Sequence, residues 1–116
     1  MSVACGNPSG PDAKGYLDVQ AVAPNLELQN RSAAPIYTRI VDSEYAALSL
    51  WMPCTDPAKC TALQPAERRE VPYIKIKGYS PSSTREVIVY WYHLVPDSTS
   101  DTGFAPDTIR SMRIVI

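Results

Sequence analysis

Eleven prolines are scattered through this 116-residue chain, about twice the usual share, and they limit what it can fold into. An interior helical proline costs about 3 kcal/mol, which argues against a helical bundle and favours strands separated by rigid turns. Pro24, Pro35, Pro53, Pro65, Pro81, Pro96 and Pro106 fall between apolar runs, and only Pro72 interrupts one. A hydrophobic share of 45% is ordinary for a folded domain and argues against disorder. The length suits one domain with one core. Eleven Lys and Arg against twelve Asp and Glu leave a net charge of −1, which excludes the basic balance of a general nucleic-acid binder.

Seven stretches between the turns have the length and composition of strands. Tyr16 to Val22 alternates apolar and polar residues, as does Leu26 to Asn30, and the latter is expected to form a hairpin-like pair with Ile36 to Val41. Tyr45 to Met52 is read as a strand with Leu48, Leu50 and Met52 on one face, and Val71 to Ile76 as an edge strand carrying Pro72. Glu86 to Val95 is apolar or amphipathic on both faces, as a central strand would be. A long polar loop is expected over Pro96 to Pro106, before a last strand from Ile109 to Ile116 with Met112, Ile114 and Ile116 on one face. Residues 1–15 read as a flexible tether and residues 16–116 as an antiparallel all-β sandwich.

Cys54 and Cys60 are separated by five residues that include Asp56-Pro57, consistent with a tight turn that brings the sulfurs together. A disulfide is the preferred reading, worth about 2 kcal/mol in a loop this short, and it implies an oxidising, extracytoplasmic compartment. Metal ligation by the same pair with His93 is the rival, but zinc sites use closer cysteine pairs and four ligands. Asp97, Asp101 and Asp107 could offer oxygen ligands to calcium. Their spacing lacks the Asp-x-Asp pattern and closing glutamate of such a loop, and a solvated loop is the simpler reading. Asn30-Arg31-Ser32 fits the N-glycosylation pattern.

Nothing in the sequence points to catalysis or to a cofactor. His93 is the only histidine, and serines lie in neither a Gly-x-Ser-x-Gly elbow nor a Ser-x-x-Lys motif. Glycine-rich phosphate loops are absent. Arg68, Arg69, Lys75, Lys77 and Arg85 form a mildly basic region partly neutralised by Glu70 and Glu86, which reads as solvated edge strands. The aromatic residues carry the functional expectation. Trp51, Tyr90, Trp91, Tyr92 and His93 are expected to present part of a partner surface, unless another layer covers the outward half of the strand. The same rings could serve as a carbohydrate-stacking platform.

Three features carry a resemblance to a family. Leu26-x-Leu28-x-Asn30-x-Ser32, the turn at Leu63-x-Pro65 and the tyrosine-rich run Tyr90-Trp91-Tyr92 together resemble immunoglobulin-like and fibronectin-III-like sandwiches, without the inter-sheet cysteine pair of antibody domains. Val3-Ala4-Cys5 resembles the end of a bacterial lipoprotein signal peptide, with Ser2 departing from the usual leucine-like residue. This second resemblance implies a lipid on Cys5 and a place in the periplasm or cell envelope; the alternative for Cys5 is an ordinary tail thiol. Together these features lead to the expectation of a non-enzymatic, envelope-located accessory domain that docks onto a larger membrane-associated protein assembly. The alternative is a carbohydrate or small-ligand module.

Overall fold

Alternation along residues 17–30 builds the first two strands. In the computed structural model, which describes residues 16–116, the chain runs β1 (Leu17–Val22), β2 (Asn25–Asn30), β3 (Tyr37–Asp42), helix α1 (Ser43–Leu48), β4 (Arg68–Pro72), a 3-10 turn (Tyr73–Lys75), β5 (Glu86–Tyr92), β6 (Leu94–Pro96), β7 (Phe104–Pro106) and β8 (Arg110–Val115). The expected tether at 1–15, with Cys5, lies outside the described residues. Every strand pairing within the sheets is antiparallel. One sheet has the order β1-β2-β4, a second β3-β5-β8, and β6 with β7 forms a short ribbon continuing from β5.

The two sheets share one core in a sandwich-like arrangement. Leu17, Leu26 and Leu28 from the first sheet meet Val87, Val89 and Trp91 from the second, with Ile36, Leu63 and Ile76 from the connections. These residues fall on alternate positions of their strands, as a single buried face requires. Met112, Ile114 and Ile116 pack against the same core, in agreement with the face expected for the last strand.

Five local expectations are corrected. Residues 26–30 and 36–41 do not pair with each other: β2 lies in the first sheet and β3 in the second, because the chain crosses between sheets at Arg31 to Pro35. Ile36 instead exchanges backbone hydrogen bonds with Leu63, at 2.9 and 2.8 Å.

Tyr45 to Met52 is no strand. The Asp42 carboxylate accepts from the Glu44 and Tyr45 amides at 3.1 and 2.9 Å, capping α1, and Tyr45-Ala46-Ala47-Leu48 continues the helix. Leu48, Leu50 and Met52 are exposed rather than buried, since Ser49 and Trp51 take the inward positions.

The edge strand read over Val71 to Ile76 stops at Pro72, where the 3-10 turn begins and the Ile76 amide closes onto the Tyr73 carbonyl at 3.0 Å. Glu86 to Val95 breaks at His93, whose amide donates to the Asp107 carboxylate at 2.9 Å instead of joining a ladder. The expected 96–106 loop then shrinks to Asp97–Gly103, because Phe104–Pro106 pairs back onto Leu94–Pro96.

Candidate functional site

On the outer face of the second sheet, Tyr37, Arg39 and Val41 of β3 stand opposite Tyr92, Tyr90 and Ile88 of β5. Such a row would be an exposed aromatic surface if nothing lay over it. The segment from α1 to Cys60 does lie over it. Trp51 rests on Tyr90 and Tyr92 with ring centroids 5.1 and 6.2 Å apart, and the Arg39 guanidinium sits 5.3 Å from the indole while donating to the Ser49 hydroxyl at 3.2 Å. Tyr92 stacks on Tyr37 at 5.7 Å and donates its hydroxyl to the Cys54 carbonyl at 2.7 Å. Burial raises the Tyr92 phenol above its ordinary value.

The expected partner surface therefore changes. Trp91 turns inward to the core, with the Arg110 guanidinium 4.8 Å from its ring, and is 7% exposed. Tyr92 is 3% and His93 8% exposed, under the covering layer and inside the β5–β6 break respectively. Only Trp51 and Tyr90 keep partial exposure. Neither indole offers a free stacking platform, since one is core and the other is occupied by Tyr90, Tyr92 and Arg39.

His93 lies at the centre of a partly buried network, itself and Ser32 covered and Asp107 at its edge. Its Nδ1 is 3.2 Å from Asp107 Oδ2 and its Nε2 3.1 Å from the Ser32 hydroxyl. Burial pushes the Asp107 carboxyl up. Amide hydrogen bonds from Thr108 and His93, the Arg110 charge and the His93 ring outweigh that effect and hold it below the usual carboxylate range.

The order Ser, His, Asp has the connectivity of a nucleophile with its base and orienting acid. Here, however, the Ser32 hydroxyl is buried and is shared with Asn30 Oδ1 at 2.7 Å and the Ala34 carbonyl at 3.0 Å. The network thus clamps the Asn30–Ala34 crossover to the β5–β6 break. Asn30 itself is fully buried, with Nδ2 donating to the Ala34 and Leu63 carbonyls, both at 2.8 Å, so the glycosylation pattern is closed in the folded domain. Residues 32, 93 and 107 are too far apart in the chain for spacing to reveal this grouping.

Cys54 and Cys60 form a disulfide, with their Cα atoms 6.4 Å apart. Asp56 builds the turn between them. Its carbonyl accepts from the Lys59 and Cys60 amides and its carboxylate from the Ala58 amide. This loop touches the Asp97–Gly103 loop, where the Thr102 hydroxyl donates to the Thr55 carbonyl at 2.9 Å. Asp97 is turned into its own loop, accepting from the amide and hydroxyl of Thr99, and these two bonds lower its carboxyl. Asp107 is directed to His93 rather than toward Asp97 and Asp101, and among the described residues no group of three His, Cys, Asp or Glu side chains is placed to hold a metal ion. No helix among the described residues is long and apolar enough to cross a membrane. No family model, curated protein or solved structure matches this chain.

Proposed function

We propose that this chain is a non-enzymatic, extracytoplasmic docking domain, an immunoglobulin-like or fibronectin-III-like sandwich that joins a larger membrane-associated protein assembly. The contact is the end of the sandwich formed by the Cys54–Cys60 loop and the β6–β7 ribbon. The carrying observation is the Thr55–Thr102 contact, which unites two loops distant in sequence into one composite surface. Strand orders β1-β2-β4 and β3-β5-β8 correspond to the A-B-E and C-F-G sets of immunoglobulin-type sandwiches, which favours that fold. In such folds, loops gathered at one end are the usual binding elements. The Cys54–Cys60 bond fits an oxidising compartment.

Site-directed photo-crosslinking in the native source tests the reading. A photoreactive amino acid in place of Lys59, exposed on the disulfide loop, should yield one adduct of defined mass. The same group in place of Gln20, on the outer face of the first sheet, should not. Equal labelling at both positions, or none at Lys59, refutes docking through this end.

A further inference from the structure

The stretch from Tyr45 to Thr55 contains no charged residue, and its apolar members divide into two sets. Trp51 and Ser49 face the second sheet, held by Tyr90 and Arg39. Leu48, Leu50 and Met52 face away and are 88%, 101% and 89% exposed, so no neighbouring side chain shelters any of them. Isolated exposed aliphatics are ordinary on a protein surface. Three of them in succession on a segment fastened at both ends are not. Asp42 caps the helix on one side, and the Tyr92 hydroxyl on the Cys54 carbonyl, with the disulfide beyond it, fixes the other.

We infer that Leu48, Leu50 and Met52 form a ridge that inserts into the interfacial zone of an anionic lipid bilayer. Aliphatic tips sit above half-buried aromatic rings, Trp51 and Tyr45, and cations flank those rings. The Arg39 guanidinium lies 5.3 Å from the Trp51 centroid, and Lys77 Nζ 6.0 Å from that of Tyr45. Lys59 is exposed on the adjoining loop. Hydrocarbon-seeking side chains above an aromatic and basic belt are the arrangement that suits a membrane surface, where rings occupy the headgroup level and cations meet anionic headgroups. Of the two acids bounding the run, Asp56 is turned into its own loop by the Ala58 amide, and Glu44 lies in the first turn of α1.

A second copy of the chain fits this ridge less well. Three such side chains present about 350 Å² of apolar surface, so two ridges would bury about 700 Å² in total, below the roughly 1,200 Å² of a specific interface. A bilayer imposes no shape requirement on a convex ridge.

Vesicle flotation tests this with the full-length chain carrying Cys5→Ser, so that no acyl chain contributes. Phosphatidylcholine vesicles with and without phosphatidylglycerol serve as probes. The protein should float with the anionic vesicles, and its tryptophan emission should shift to the blue as Trp51 leaves water. The triple variant Leu48→Ser, Leu50→Ser, Met52→Ser changes only exposed side chains and should retain the fold, checked by near-UV circular dichroism, while its partition coefficient falls about 100-fold or more. The single variant Leu50→Asn, at the most exposed position and without added charge, should weaken binding in the same direction. Failure of the parent protein to float, or equal flotation of the triple variant, overturns the inference. So does a dimer in sedimentation that the triple variant abolishes, which would make the ridge a self-association surface.

Discussion

Replacement of Asn30 by alanine is the sharpest test of how the two sheets are joined. Its side chain makes four hydrogen bonds without any exposure to water. Nδ2 donates to the Ala34 and Leu63 carbonyls, and Oδ1 accepts from the Ser32 amide and hydroxyl at 2.8 and 2.7 Å. The partners are not equally dependent on it. The Leu63 carbonyl still accepts from the Ile36 amide, and the Ser32 hydroxyl still has the Ala34 carbonyl and His93. Among these partners the Ser32 amide is the one stranded. One orphaned buried donor costs about 1–3 kcal/mol, and three further bonds lost with partial compensation cost about 0.5–1 kcal/mol each. Asn30→Ala should therefore lose about 2.5–6 kcal/mol, a large part of the 5–15 kcal/mol that holds a domain of this kind together. Asn30→Asp should be at least as costly at neutral pH, because it turns a carboxylate toward two carbonyl oxygens, and should partly recover on acidification. Urea unfolding followed by circular dichroism measures both. A loss below about 1 kcal/mol for Asn30→Ala would show that the crossover is held by packing alone, and would refute the network reading.

Three other outcomes follow from the same structure. Gly78 has φ +79°, and a Cβ there would lie 2.5 Å from Tyr45 Cβ and 2.6 Å from its Cγ, so Gly78→Ala should destabilise by about 2 kcal/mol or more in thermal melting, and a Tyr45→Ala background, which removes the ring but keeps Cβ, should relieve only the share due to the ring. The folded-state carboxyl of Asp107 titrates below its unfolded value, so its ionised form contributes stability that is complete above about pH 4 and is lost as pH falls through the lower folded-state value. Asp107→Asn should flatten that acid limb in a melting-temperature series. Reduction of Cys54–Cys60 by a thiol reductant should cost about 2 kcal/mol and add two hydrogen atoms to the intact mass, and it should speed hydrogen exchange around Thr55 and Thr102 before it affects the sheets.

The legible parts of this fold are those in which one face is buried. Leu26 and Leu28, or Met112 and Ile114, alternate with polar neighbours, and the period assigns each its side of the sheet. Alternation misleads at Leu48 to Met52. The same spacing that marks a strand there sets a half-buried tryptophan against the sheet and the aliphatics against solvent. The residues that make α1, an Asp42 cap with Glu44 in the first turn and the helix formers Ala46, Ala47 and Leu48, span too few positions to show a helical period. For β5, apolar character on both faces signalled a central strand, yet composition alone does not say which element covers the second face. The joining of Ser32, His93 and Asp107, and of Thr55 and Thr102, depends on long-range approach, which no local pattern encodes.

Among the described residues, backbone hydrogen bonds from residues 50–62 to other backbone groups stay within the turn that starts at Asp56. The cover over the outer aromatic row is consequently attached to the sheet and to the neighbouring loop by side chains, the Trp51 indole, the Arg39 guanidinium and the Tyr92 and Thr102 hydroxyls, not by a ladder. Such a layer can open as a unit without unzipping either sheet.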